Sequence, residues 1–365
     1  LSVFPSDIVV YGSASMPEAD SATVGGLVDT TKTVAWYDLS ANDTIDAVSS
    51  SASDTACNVK IMARDATGVV QTTGNTSLNG TTPVVNVGSL GTVERLLAAV
   101  IKGGAIAGLT DPGGTTGAVG DVAVYRHTAV ISAHTAQTGS ANSTGITPAL
   151  IKLQASDGAA VSAGQIIRIT NNTPAGVNNQ LRQIIATTGY GTDVVAVNRD
   201  WGTVPDNTTT YNVYQGMLFA ILPNPVKAIT RCFATAAADT PTGSTRTFYE
   251  KVFVVNNNTA TALTSAQIEI ASDTPSLPGS AALDFALCTA LNDSATATNR
   301  QTTPTGIGSF QVQPLFTSVP APGNLPSGVA PNASGAQGVW LRLTLPAGTA
   351  PYKGSADLRT TGNTT

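Results

Sequence analysis

Apolar residues recur along this chain in short runs, broken every roughly ten residues by Gly, Asn, Pro or Asp, a rhythm of strands and tight turns. Between Gly164 and Tyr214 the runs Ile166–Ile169, Leu181–Ile185 and Val194–Val197 are rich in β-branched residues, and a Thr-rich strand ends at Tyr214. Gly and Asn accept turn dihedrals and branched side chains suit a pleat, so this stretch reads as scaffold. Before it, strands are expected at Asp7–Tyr11, Thr33–Leu39, Thr44–Ser49, Asn58–Ala63, Gly68–Thr73, Pro83–Val87, Asp121–Tyr125 and Ala129–Ala133. Asp65-Ala66-Thr67-Gly68 and Leu78-Asn79-Gly80 are the clearest hairpin turns. Later strands are expected at Thr147–Gln154, Met217–Leu222, Lys227–Ala234, Arg246–Asn256, Ala262–Ala271, Leu283–Leu287 and Phe310–Val312. Gly338–Leu345 alternates cleanly, with Val339, Leu341, Leu343 and Leu345 on one face and Trp340, Arg342 and Thr344 on the other.

Three stretches depart from the rhythm. Thr92–Lys102 is the best helical candidate, with Val93, Leu96, Leu97 and Val100 on one side; a strand is the alternative, since its surroundings are all β. Gly12–Gly26 has too few large apolar residues to make a core and reads as an extended arm or loop lying along another surface. Thr302–Gly335 is Pro/Gly/Ser-rich and loop-like. After Pro346-Ala347-Gly348 the chain turns, and Ala356–Arg359 is expected to pair back as a closing hairpin.

The expected fold class is therefore all-β, with two to three β-sandwich or barrel modules in series. Residues 1–136 form an N-terminal β domain with an extended arm, 137–216 a small barrel or sandwich, and 217–365 a C-terminal β-sandwich. Each holds one tryptophan (Trp36, Trp201, Trp340), read as three separate core anchors.

Composition sharpens this picture. Only 11% of the 365 residues are charged, against about a quarter in ordinary soluble proteins, while 42% are hydrophobic and just 5% aromatic. The surface must then be mostly Thr, Ser, Asn and Gly, which loses little when water leaves it because few charges need desolvating. Two readings follow: a chain built to be covered by many neighbouring subunits, or a secreted β protein with a neutral coat. A net charge of −5 lacks the basic stripe that holds a phosphate backbone, so no direct nucleic-acid binding is expected. No run of eighteen apolar residues predicts a membrane span, and the opening LSVFPSDIVVYG reads as no secretory signal. Asn-x-Ser/Thr triplets at Asn42, Asn75, Asn79, Asn142 and Asn332 arise readily in an Asn- and Thr-rich chain and are assigned no glycans.

Candidate chemistry is sparse. Cys57, Cys232 and Cys288 are widely spaced without a C-x-x-C or His partner, so buried free thiols are expected, with one intersubunit disulfide as the alternative. His127 and His134 lie seven apart with no further ligands nearby. Asp7, Asp20, Asp29, Asp38 and Asp43 miss calcium-loop spacing. Glu18 and Asp20 form a carboxylate pair on a loop too small to place a sugar. G-x-S-x-G, Walker and H-E-x-x-H motifs are absent from the sequence. Arg199, Asp200 and Trp201 offer a stacking face beside hydrogen-bonding groups, for a sugar or a partner; the plainer reading is a core Trp with a local ion pair. Accordingly no enzyme, no catalytic or metal residue and no cofactor is expected.

Four segments resemble virion structural proteins of tailed bacteriophages: PSDIVVYGSASMPEADSATVGG at 5–26, SSSASDTA at 49–56, NRDWGTVPDNTTTY at 198–211 and GVWLRLTLPAGTAPYKGSADLRTTG at 338–362. The last looks like immunoglobulin-like modules found on capsid and tail proteins, which implies an immunoglobulin-like sandwich for 217–365. The resemblance implies a protein present in many copies on a particle, assembled in the host cytoplasm and located in the virion. A capsid decoration (cement) protein is the first expectation. Its partners would be the major capsid protein and copies of itself, as trimers or dimers, with the 12–26 arm as clamp. A collar, tail, baseplate or fibre component, or a carbohydrate-binding adhesin using Trp201 or Trp340, are the alternatives.

Overall fold

The computed structural model describes residues 3, 5–17, 19–35, 38–144, 147–221, 225–233, 243–272, 281–311, 319–321, 324–327, 335–349 and 357–364. Regular structure among them is all strand, apart from single 3-10 turns at Pro5–Asp7, Val87–Ser89 and Asp157–Ala159. The chain forms two compact units. One comprises Leu1–Val3, Asp7–Val34 and Arg231–Thr365; the other is Ala35–Thr230 with Phe4–Ser6. This grouping differs from a serial division at 136 and 216. The strand Ile8–Ser15, expected to belong with its sequence neighbours, pairs with Arg246–Asn256 from Ile8↔Asn256 to Gly12↔Val252.

In the Ala35–Thr230 unit, Gly216–Phe219, Val122–Arg126 and Ile45–Ser49 form a three-stranded sheet. Ala228–Thr230, Val93–Ile101, Asn58–Asp65 and Val70–Thr72 form another, with Thr76–Ser77 added to Asn58–Asp65. Ile45, Ala47, Val122, Val124, Met217 and Phe219 of the first share one core with Val59, Ile61, Leu96, Ala99 and Ile229 of the second. The intervening residues Val48, Ala123, Tyr125 and Leu218 point to the opposite face, where they meet Ile166, Leu181 and Tyr214. A strand buried on both faces has no polar side to alternate with, which is why VAVY and GMLF are continuous apolar runs.

Those last three residues belong to a six-stranded sheet in the order Leu150–Lys152, Val194–Val197, Leu181–Ala186, Ile166–Ile169, Thr210–Tyr214, Ile131–Thr135. Gln137, just past one edge strand, donates its backbone N–H to Lys152 on the other at 2.9 Å, so the sheet curls on itself as a small barrel. Ile151, Ile167, Ile169, Ile184, Val195, Val197, Trp201 and Val213 fill it. This barrel draws its edge strand Ile131–Thr135 from before residue 137, where the middle module was expected to begin.

In the other unit the strands run Ala282–Leu291, Gln337–Leu345, Arg246–Asn256, Ile8–Ser15, Val24–Val34, with Thr296–Ala297 on the start of Val24–Val34. A three-stranded sheet, Val319–Pro320, Leu263–Ser272, Asp357–Thr364, supplies the facing layer. Val252, Val254, Phe285, Leu287 and Val339 pack against Leu263, Ala266, Ile268 and Ile270.

Several expectations are corrected. Thr92–Lys102 is no helix: Val93–Ile101 is a strand hydrogen-bonded on both sides, and Leu96 to Val100 are all fully buried. A centrally paired strand buried on both faces and a buried helix turn share the same apolar run, so periodicity alone could not separate them. Gly12–Gly26 is no extended arm. Gly12–Ser15 continues one strand and Val24–Gly26 opens the next, with register shifts between Tyr11 and Gly12 and between Ser13 and Ser15. The small residues serve that irregular hairpin: a Cβ on Gly12 would stand 2.7 Å from the Met16 Sδ and 2.9 Å from the Lys32 Cδ. Pro83–Val87 makes only the isolated bridge Ala47↔Val84 before the Val87–Ser89 turn, and at Phe310–Val312 Gln311 makes only the bridge to Phe285, Val312 lying outside the described residues. The last strand pairs with Leu263–Ser272 instead of closing a hairpin on Gln337–Leu345. Of Thr33–Leu39, Thr33 and Val34 end a strand, and Trp36 lies outside the described residues.

Candidate functional site

Arg199, Asp200 and Trp201 leave the barrel strand Val194–Val197 together; Asp200 is exposed and Arg199 partly so, but Trp201, the stacking face, is closed off. Trp201 is 2% exposed, and its indole N–H donates to the Leu150 carbonyl at 3.0 Å. Asn142, a triplet asparagine, is engaged by the same residue: its Oδ1 accepts from the Trp201 N–H at 2.7 Å and its Nδ2 donates to the Trp201 carbonyl at 3.1 Å. The Arg182 guanidinium lies 5.1 Å from the indole centroid and donates to the carbonyls of Leu181 and Asp200. Beside it is Asp121, fully buried at the start of Val122–Arg126, which pairs with Arg199, stands 3.7 Å from Arg182 and accepts the Ile221 N–H at 3.1 Å. Burial pushes the Asp121 carboxyl up, opposed first by Arg199 and then by Arg182, and pushes the Arg182 guanidinium down to about 10. The cluster is an internal clamp between barrel and three-stranded sheet: the core Trp of the plainer sequence reading is present, but the ion pair is not local, since Arg199 reaches Asp121 and not Asp200.

Trp340 is likewise closed, fully buried with Val24, Tyr249, Cys288 and Ala297. Over its ring, 5.6 Å from the centroid, lies the ammonium of Lys251, a side chain with no exposure at all. That ammonium donates to Asp293 Oδ1 at 2.6 Å and to the carbonyls of Asp293, Gly26 and Ala295 at 2.9, 3.1 and 3.1 Å. It fills the place a small cation would take among oxygens and ties the Val24–Val34 strand to the loop after Leu291. Arg300, also without exposure, bridges Glu250 at 3.0 Å and Asp20 at 3.6 Å. Asp20 is thus tied to a guanidinium; Glu18, its suggested carboxylate partner, lies outside the described residues. With both tryptophans buried, neither offers the stacking face an adhesin would need.

The two histidines each meet a carboxylate: His127 Nδ1 stands 2.7 Å from Asp46 and His134 Nδ1 2.8 Å from Asp157. Asp157 also accepts the Tyr211 hydroxyl. The histidines therefore serve separate local contacts, and among the described residues no group of three or more His, Cys, Asp or Glu could hold a metal. The described cysteines are free thiols, Cys57 and Cys288 buried and Cys232 half-buried. Burial pushes the Cys288 thiol up to about 12 and raises Cys57 and Cys232 as well, so none is a ready nucleophile.

The exterior follows by subtraction. Among the described residues, Lys32, Arg95, Arg126, Arg182, Arg199, Lys251, Arg300, Arg342 and Arg359 each reach a carboxylate within 4.0 Å. A charge-poor chain thus turns much of its remaining charge inward or into local pairs, and among the described residues the exposed positions are mostly Thr, Ser, Asn, Gly and Ala, with a few charges such as Asp111 and Asp200 and a few large apolar side chains such as Leu27 and Val85. Such a face has a low cost of being covered. Asp121, Arg182, Lys251, Asp293 and Arg300 were not singled out in the sequence. A visible signal existed for two of them, since Lys251 and Arg182 interrupt apolar strand runs (FYEKVFVV, LRQIIA); the carboxylates that answer them lie in loops and carry none. No helix among the described residues is long and apolar enough to cross a membrane. No family model matches the chain, and neither does any curated protein or solved structure.

Proposed function

We propose that this chain is a structural protein of a tailed-phage virion, a capsid decoration protein that binds across neighbouring major-capsid subunits and stabilises the head. The observation that carries the proposal is the neutral all-β exterior combined with inward-turned charge. A subunit covered on several sides must give up water over a large area, and the loss is least where the surface holds few ions. Internal clamps such as Arg199–Asp121–Arg182 and Lys251–Asp293 supply rigidity without placing charge on the contact faces. Copies of itself around a symmetry axis, as dimers or trimers, and the major capsid protein are the proposed partners. With Gly12–Gly26 folded into a hairpin, docking is assigned to whole sheet and loop faces and not to a free arm. No catalytic step, cofactor or nucleic-acid contact is part of this reading.

The test uses heads assembled without the chain. Added purified protein is expected to saturate them at hundreds of copies per particle and to raise their disruption temperature. Absence of binding overturns the proposal, and a dozen or fewer copies confined to the neck or tail replaces it with the collar or tail reading.

A further inference from the structure

His127 follows the strand Val122–Arg126, and its backbone N–H donates to the Thr44 carbonyl at 2.9 Å, which fixes where its ring lies. The ring is half exposed, yet its Nδ1 contacts Asp46, whose side chain is only 5% exposed. The other oxygen of Asp46 accepts the backbone N–H of Asn86 at 3.0 Å. One buried carboxylate therefore joins an exposed histidine to the loop that follows Val84.

That loop needs holding. Asn86, Gly88, Ser89 and Gly91 all have left-handed φ values, of 50°, 63°, 55° and 71°; Gly and Asn accept that region readily, whereas Ser89 does so against its preference. Its internal ties are few: Ser89 N–H to the Asn86 carbonyl at 2.9 Å and Gly91 N–H to Asn86 Oδ1 at 3.2 Å. Val87 and Leu90 anchor it in the sandwich core, while Val85, beside Asn86, is one of the few large apolar side chains exposed among the described residues.

We propose that His127, Asp46 and Asn86 form a proton-dependent latch that fixes the 84–91 loop, and with it the outward presentation of Val85. The groups facing the latch are few. Asp43 adds a second carboxylate near His127 and is itself paired with Arg126. Tyr125 lies near Asp46 and has Arg168 at its own hydroxyl, and burial raises that hydroxyl further above its ordinary value. The hydrogen bond that the ring Nδ1–H donates to Asp46, and then the charge of Asp46, lift His127 above its ordinary 6.5, against weak desolvation. A histidine raised in the folded state contributes stability that is complete below the unfolded value and fades as pH climbs through the folded one. The latch is thus tight below the ordinary histidine value and slackens as pH climbs through the raised value of His127, because deprotonation leaves the buried Asp46 with no cation on it from this side. This inference does not depend on where the protein acts.

The test is a pH titration from 5 to 9 by two-dimensional NMR, following the His127 ring and the Asn86 amide. The ring midpoint is expected above 6.5, with the Asn86 resonance moving at the same midpoint. H127Q is expected to abolish the Asn86 response and to flatten the fall in melting temperature between pH 6 and 8. An Asn86 amide that ignores pH, or that titrates unchanged in H127Q, overturns the latch. Should H127Q fail to fold, co-titration in the native chain alone decides.

Discussion

Lys251 carries a charge at zero exposure and is answered by one carboxylate and three carbonyls. Removing only the carboxylate leaves the ammonium buried among dipoles, whereas removing both charges leaves mainly a packing problem. D293A is therefore expected to lower unfolding stability by about 3–5 kcal/mol, and K251M/D293A by less, as read from urea midpoints at unchanged slope. Equal losses would mean that the two groups are not coupled. At this scale the sequence was partly legible. Trp340 stands in an apolar strand and Trp201 in the polar stretch NRDWG, yet both are core anchors as expected; Cys57 and Cys288 are buried as expected, while Cys232 is only half-buried. Asp121 and Asp293 were not legible, because an aspartate beside a strand looks like turn chemistry until the fold brings a distant cation to it.

Strands were legible wherever a turn bounded a β-branched run, as at Arg246–Asn256 and Ile166–Ile169. They failed where small residues replaced the expected pattern. The Gly12–Ser15 segment looked like an arm because its side chains are small, yet small side chains are what a bulged hairpin with Met16 and Lys32 lying across it requires. Gly216 follows the same logic in a regular strand: it pairs with Tyr125, and a Cβ there would lie 2.2 Å from the Val124 carbonyl oxygen and 2.6 Å from the Tyr125 Cα. Backbone cannot step aside as a side-chain tip can. G216A is expected to cost about 1–3 kcal/mol, while G117A, with nothing within 4 Å of the added methyl, stays within about 0.5 kcal/mol. Matching melting temperatures for the two variants would refute the close pairing.

Pattern along the chain says little about which distant strands meet, so the molecule's division was the least legible feature. Contacts put Ala35–Thr230 in one unit and return Asp7–Val34 to Arg231–Thr365. A fragment of residues 35–230 is accordingly expected to give dispersed NMR spectra and cooperative unfolding by itself. Residues 217–365 are expected to stay unfolded or aggregate, for want of the Ile8–Ser15 strand that borders Arg246–Asn256. Autonomous folding of 217–365 would contradict this division.

The pairing of Ile8 with Asn256 also sets a timetable for synthesis. At about 5–20 residues per second, roughly 12–50 s pass between translation of the two partners. Throughout that interval the first hairpin leaves the ribosome with one edge unpaired, while the segment made in between can already complete its barrel. An open β edge waiting that long is a place for a holding chaperone, or for the wrong strand.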